Sequence, residues 1–478
     1  MELNSALFIL VFLPVVVICN AFLLSRMGKK ISVIFIIMSS LLFYFINCKE
    51  CLVFFLVSIF SNYIVSILIS RFSTGKLSKI ILIFGILMNI SELIGFKYIN
   101  MITDSCNLIF KTSFTITNII IPLGISFICF QQIAYLVDVY KTPEVSYSFL
   151  DYVNFISFFP HITAGPIVQT KDWEKSQFDS PVAINYDKLS QGLFLFSLGL
   201  GKKVLIADVF GRSVNWCYQN LDSINSTDAL FVSLAYTLQI YYDFSGYCDM
   251  AMGVAEMLQF DLPINFNSPY KATTIMEFWK RWHMTLTGFF TKYLYIPLGG
   301  NKKGLIRTII NTMIVFTISG LWHGASYTFI AWGILHGVGL VIAKLFNKQI
   351  QKLPKVLNWM ITFLFVDFAW ILFRANSFSY FKKYMGVIKE MRFDALSQGI
   401  TEPFILLENI KLLSEVSPWI HCVIFTVVVM VATVLMDNAY EMSRKFRGNA
   451  ITAIVTVAIA FLSLVSMAGV TTFVYQLF

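Results

Sequence analysis

The chain carries only five histidines, His161, His283, His323, His336 and His421, and three of them fall between positions 283 and 336. His283 closes Phe278-Trp279-Lys280-Arg281-Trp282-His283, an aromatic and basic segment suited to a membrane interface. His323 sits in Gly320-Leu321-Trp322-His323-Gly324-Ala325, and His336 in Trp332-Gly333-Ile334-Leu335-His336-Gly337 within a strongly apolar stretch. An imidazole titrates near neutrality and moves protons, the requirement of general acid–base chemistry. A polar ring at membrane depth is costly unless it lines a cavity or finds a partner, which makes His336 a functional-site candidate. Trp332 and His336, four apart, share a helix face, and Gly333-x-x-x-Gly337 allows another helix to pack closely beside them. His161 and His421 read as hydrogen-bonded or interfacial residues, the latter beside Trp419.

The acidic residues form a second group. Asp243, Ser245 and Asp249 lie in Tyr241-Tyr242-Asp243-Phe244-Ser245-Gly246-Tyr247-Cys248-Asp249, and Glu256 follows seven residues after Asp249, on the same helix face. With Asn267 they either line a polar funnel or hold helices together through Lys202, Lys203 or Arg281; the structural pairing is the favoured expectation. No metal-ligand spacing is present. Cys48-x-x-Cys51 is the one close cysteine pair and reads as chance placement, with a redox role as the alternative. No Walker loop, strand-borne GxGxxG or GxSxG elbow occurs, so ATP-driven transport and serine hydrolysis lack their usual chemistry.

These side chains need a lipid-embedded scaffold. Of 478 residues, 57% are hydrophobic and 13% charged, with mean hydropathy +0.72. Soluble domains carry about twice that share of charge, so a soluble enzyme, a disordered chain and a nucleic-acid-binding domain are excluded. The 47 Phe, 21 Tyr and 9 Trp suit a lipid-facing surface with aromatic interfacial belts.

A bilayer core needs about 20 apolar helical residues per crossing. Uncharged stretches run over 3–25, 31–48, 51–70, 112–137, 308–343, 416–436 and 448–478. The 308–343 stretch breaks in two at Trp322-His323-Gly324, and 80–96, 189–210, 229–258 and 356–373 add further candidates. The expectation is an all-α polytopic membrane protein of about 11 transmembrane helices with re-entrant or interfacial helices besides. Residues 155–167, with Pro160, Gly165 and Pro166, read as a re-entrant or interfacial segment. The first apolar stretch lacks a basic n-region and a small-residue cleavage site, and reads as a retained helix. Arg26, Lys29 and Lys30 after the first span, and Arg71, Lys76 and Lys79 after the third, place those loops in the cytoplasm and the N-terminus outside. The net charge of +9 is then a topology signal and an affinity for anionic headgroups. The chain divides into N-terminal helices (1–111), a central segment that holds these motifs (112–374), and a loop with C-terminal helices (375–478).

The motifs together resemble the membrane-bound O-acyltransferase family. The resemblance rests on Tyr241–Tyr247, Asn265-Phe266-Asn267-Ser268-Pro269-Tyr270, Glu277–His283, Tyr293-Leu294-Tyr295-Ile296-Pro297-Leu298-Gly299-Gly300-Asn301, Gly320–Ala325 and Trp332–Gly337. Upstream, Phe159-Pro160-His161-Ile162-Thr163-Ala164-Gly165-Pro166-Ile167 and Gly201-Lys202-Lys203-Val204-Leu205-Ile206-Ala207-Asp208 extend it, so that it covers about Pro122 to Arg374. Tyr295–Asn301 is similar to the bacterial branch typified by alginate O-acetyltransferase membrane subunits, with the teichoic acid D-alanyl transferases more distant. Two departures stand out. The family's Trp-Phe-Arg-Asp is replaced by Phe289-Phe290-Thr291-Lys292, and His161 stands where Gln is usual.

The resemblance implies a mechanism. An acyl thioester, acetyl-CoA or an acyl carrier, meets a hydroxyl inside a membrane tunnel; no cofactor or metal stays bound. His336 is the counterpart of the family's catalytic histidine, with His283 and His323 orienting the donor or stabilising its carbonyl. Lys280, Arg281, Trp282, Lys302, Lys303 and Trp332 are the expected donor-binding residues. The acceptor is an extracytoplasmic sugar, reached through an SGNH-hydrolase-type partner, in a bacterial cytoplasmic membrane. D-alanyl or peptidoglycan acyl transfer keeps the family and changes the substrate. A lipid-linked glycan transporter is the alternative from another class, although no inverted repeat is visible.

Overall fold

Hydrocarbon offers no partner for a backbone N–H or C=O, and a chain this apolar satisfies its backbone within helices. A computed structural model describes residues 1–478 except 73–74, 117–118, 144–146, 179–183, 406–416 and 468–478. Its regular structure among the described residues is entirely helical. Among the described residues, eight helices are long and apolar enough to cross a membrane: Phe8–Met27, Lys29–Asn47, Lys49–Arg71, Lys76–Phe110, Gly304–His323, Tyr327–Leu345, Lys355–Arg374 and Pro418–Leu435. The chain is a multi-pass membrane protein. Other helices complete the bundle: Ile125–Lys141, Tyr186–Gly201 continuing through a π-turn into Asp208–Gln219, Ser226–Met257 and Ala450–Val465. The stretch expected to cross from 112 becomes helical only at Ile125, because Gly124 takes a left-handed conformation (φ +67°) and a Cβ there would stand 2.0 Å from the Ile162 carbonyl oxygen. The last expected span ends partly outside the described residues.

Ser226–Met257 is the axis of the molecule and is buried over most of its length. It meets Tyr186–Gly201 through two pairs of glycines seven residues apart. A Cβ on Gly192 would lie 2.6 Å from the Gly253 carbonyl oxygen, and one on Gly199 would lie 2.6 Å from that of Gly246. Only hydrogen at all four positions allows the backbones to touch, the small-residue packing that replaces hydrophobic drive inside a membrane.

Three acids of this helix, Asp243, Asp249 and Glu256, are ion-paired. Lys203, in the π-turn, stands between Asp243 (2.7 Å) and Asp208 (2.8 Å), while Lys202 reaches Asp249 (2.6 Å) and the Ser245 hydroxyl (3.4 Å). Glu256 departs from the expected set and pairs with Arg444 from the C-terminal region. Arg281 pairs instead with Glu277, one turn earlier on its own helix (2.9 Å). Removing one partner of a fully buried pair strands the other charge, at a cost of about 3–5 kcal/mol. Asp243→Ala is therefore expected to lower the thermal midpoint of the detergent-purified protein steeply; an unchanged midpoint would mean that Asp208 alone holds Lys203.

Two broken segments enter the bundle. Phe149–Ser157 and the single turn Phe159–Ile162 lead into a reversal where Gly165 N–H donates to the His161 carbonyl (3.1 Å). A Cβ on Gly165 would sit 2.4 Å from the His161 Cα, so the turn requires glycine. The expected interruption of a simple span at 155–167 is present. The second segment folds Asn265–Asn267 against the end of Ile275–Arg281, with Asn267 N–H donating to Arg281 O and Met284 N–H to Asn265 O, both at 2.9 Å.

Candidate active site

The three histidines singled out by position come together. Gly304–His323 and Tyr327–Leu345 form a hairpin whose backbones touch where Gly320 faces Gly333; a Cβ on Gly333 would meet the Phe316 carbonyl oxygen at 2.2 Å. This contact places His323 at the end of the first helix and His336 halfway along the second, both facing Trp332. The Trp332 ring lies 5.0 Å from His323 and 4.7 Å from His336, centroid to centroid. His283 completes the group 6.5 Å from His323. All three are at most 3% exposed.

Local structure fixes each ring. His283 adopts a left-handed backbone (φ +45°, ψ 52°), a conformation that costs a side-chain-bearing residue on the order of 1 kcal/mol and tends to mark functional sites. It is held there because Asn265 Oδ1 accepts from His283 Nδ1 (3.0 Å) and from the Thr285 hydroxyl (2.8 Å). That bond puts the proton of neutral His283 on Nδ1 and leaves the lone pair on Nε2. His336 is arranged the other way. Trp279 Nε1–H donates to His336 Nδ1 at 3.3 Å, so the neutral ring carries its proton on Nε2. At 3.3 Å this bond is long, and a hydroxyl of better geometry can replace it.

Two cavities approach this layer without sharing a lining residue. One, of about 420 Å³, is lined by Trp322 and His323 together with Glu2, Asn47, Lys97, Ser126 and Thr163. The other, of about 370 Å³, is mainly apolar and runs along the opposite end of the hairpin, from Thr308 and Lys344 past Phe316 and Leu340 to Trp279. Lys280 and Lys344, both exposed, stand at its edge. Trp279, Trp332 and the histidines fill the space between the two.

Of the residues expected to bind a donor, Lys280 alone lines the second cavity. Arg281 is engaged by Glu277 and the Asn267 carbonyl (3.1 Å). Trp282 is buried 4.9 Å from Trp370, Trp332 lies inside the histidine layer, and Lys302 and Lys303 are exposed on the turn before Gly304 without lining the cavity. Asn267 accepts from Asn438 (3.2 Å). His161 packs away from the layer and meets Gln131 (3.2 Å), and Cys48 and Cys51 are buried free thiols. At the departing segment, Lys292 pairs with Asp138 (2.9 Å), which also accepts from Tyr293 OH (2.8 Å), so helix Ile125–Lys141 supplies an acid that the segment itself lacks. Three residues of the site escaped the sequence reading: Asn265, Trp279 and Lys97. The first two stand in quoted motifs, and only their contacts reveal what they hold; Lys97 stands in none.

The site is thus a buried histidine–tryptophan layer between two cavities of a polytopic helical membrane protein. The chain belongs to the membrane-bound O-acyltransferase family, whose sequence profile matches residues 142–382. It is 40% identical over 406 residues to the peptidoglycan O-acetyltransferase of Helicobacter pylori, covering 78% of this chain and 77% of that one. It is 37% identical over 388 residues to a probable alginate O-acetylase of Pseudomonas aeruginosa, covering 79% and 72%. The teichoic acid D-alanyltransferase of Bacillus subtilis is 29% identical over 284 residues, covering 55% of this chain and 70% of that one. The protein is thus an O-acyltransferase, and the transporter reading is set aside.

Proposed function

We propose that the protein moves an acetyl group from a cytoplasmic thioester, acetyl-CoA, to a hydroxyl on the other side of the membrane. The observation that carries this reading is the pair of cavities at opposite ends of the hairpin, meeting at one proton-transferring layer. The apolar Trp279 cavity suits a slender thioester arm, and Lys280 and Lys344 at its edge suit the coenzyme's phosphates. The more polar His323 cavity suits a hydroxyl acceptor. In the reaction the acyl C–S bond breaks, a C–O bond forms, and the hydroxyl proton ends on sulfur. His336, set between the two cavities, takes that proton, while His323 and His283 steady the thioester carbonyl as negative charge develops.

Basic residues support the orientation. Lys280, Lys302, Lys303, Arg307 and Lys344 lie at the hairpin end away from His323, which favours a cytoplasmic place for that end in a bacterial membrane, with the N-terminus outside. The names of the relatives favour an extracytoplasmic polysaccharide or peptidoglycan acceptor. An SGNH-type partner that receives the acetyl group would carry it to the polymer. The test uses inside-out membrane vesicles, labelled acetyl-CoA and the partner. Lys280→Ala/Lys344→Ala is expected to raise the KM for acetyl-CoA about tenfold, on the order of 1.4 kcal/mol, with kcat little changed. An unchanged KM removes the cavity from the donor path, and absence of labelled product from the wild type overturns the reading.

A further inference from the structure

The π-turn Ile94–Tyr98 belongs to no segment that the motifs mark, yet it closes on the end of the His323 helix. A helix leaves its last carbonyls without intrahelical partners. In Gly304–His323 three of these belong to Leu321, Trp322 and His323. Tyr98 OH donates to the Leu321 carbonyl at 2.9 Å, and Lys97 Nζ donates to those of Trp322 at 2.8 Å and His323 at 3.1 Å. The remaining ammonium proton points to the Ser126 hydroxyl at 3.4 Å, and Nζ lies 5.9 Å from the centre of the Trp322 ring. Gly324, the residue after the helix, is extended (φ −171°), so no left-handed cap satisfies these carbonyls in the usual way. A cation also suits the negative end of the helix dipole. Lys97, Ser126, Trp322 and His323 line the same cavity, so the clamp forms part of its wall.

We propose that Lys97 and Tyr98 are positioning residues for acyl transfer: they fix the end of the Gly304–His323 helix and so hold the His323 ring against Trp332. The proposal rests on the acetyl-transfer reading above. Neither residue lines the Trp279 cavity, so the clamp acts on the rate of transfer and not on donor binding.

Two measurements on the full-length protein test it. In vesicles with labelled acetyl-CoA, Lys97→Met is expected to lower kcat 10- to 100-fold with donor KM within twofold of wild type. Lys97→Arg, which keeps the charge and the donors, recovers most of the rate, and Tyr98→Phe costs three- to tenfold. Independently of activity, amide hydrogen exchange in a peptide spanning 319–326 speeds up at least tenfold in Lys97→Met. The proposal falls if Lys97→Met and Tyr98→Phe both keep kcat within twofold, if donor KM rises in step with the loss of rate, or if exchange at 319–326 is unchanged. Should Lys97→Met not fold, Tyr98→Phe, which removes one oxygen, decides by the same criteria. A wild type that transfers no acetyl group overturns the acetyl reading alone, and the exchange measurement still decides the clamp.

Discussion

His336→Ala is expected to lower kcat for acyl transfer by about 10²- to 10⁴-fold, the usual contribution of a positioned acid–base group. The effect should fall on kcat and leave the donor KM nearly unchanged, because His336 is fully buried and lines neither cavity. His336→Gln separates chemistry from packing. An amide fills much of the space and can still meet Trp279 Nε1–H, but it cannot take up a proton near neutrality. If His336→Gln transfers acetyl groups at the wild-type rate, His336 is a packing residue and the base lies elsewhere, with His283 next in line since its Nε2 lone pair is set by Asn265. His336→Gln is the variant expected to keep its folded yield, because His336→Ala leaves a cavity against Trp332 and strands the buried Trp279 Nε1–H.

Gly333→Ala should be nearly as damaging although it touches no substrate. A methyl group there collides with the Phe316 carbonyl oxygen and crowds the Gly320 backbone at 3.1 Å, with no flexible side-chain end that can yield. The hairpin must open, at a cost typical of overpacking, about 1–3 kcal/mol. Its opening also shifts His323 relative to His336, and misplacement by about 1 Å can cost a hundredfold in rate. The expected result is a protein that still inserts, with a lowered thermal midpoint and kcat reduced on the order of 10²-fold. Retention of full activity would show that the two helices slide without disturbing the rings.

These two residues also show what the sequence made legible. His336 stood out because a titratable ring in an apolar stretch is expensive, and that argument needs no coordinates. Gly333 was legible as a point of close packing, but its partner was not: Gly320 lies across a turn, and nothing in the local pattern tells which helix the small face meets. The same holds for Glu256, whose partner Arg444 is 188 residues away, beyond any periodicity. The spans themselves were readable wherever apolar length alone decides, and misplaced at 112–124, where a left-handed glycine and a neighbouring carbonyl govern the start of the helix. Lys97 was invisible for another reason. Its role is to satisfy backbone carbonyls more than 220 residues away, and backbone acceptors leave no trace in residue type.

The layer of Trp279, Trp332 and the three histidines separates the two cavities, with Trp332 and His336 wholly buried. A carrier must alternate its gates because its cargo travels whole. In the reaction proposed above, an acetyl group passes this layer in one direction and a proton in the other, each through bonds made and broken inside it. On that reading no whole molecule has to cross the layer, so the transfer needs no continuous path through which ions would leak.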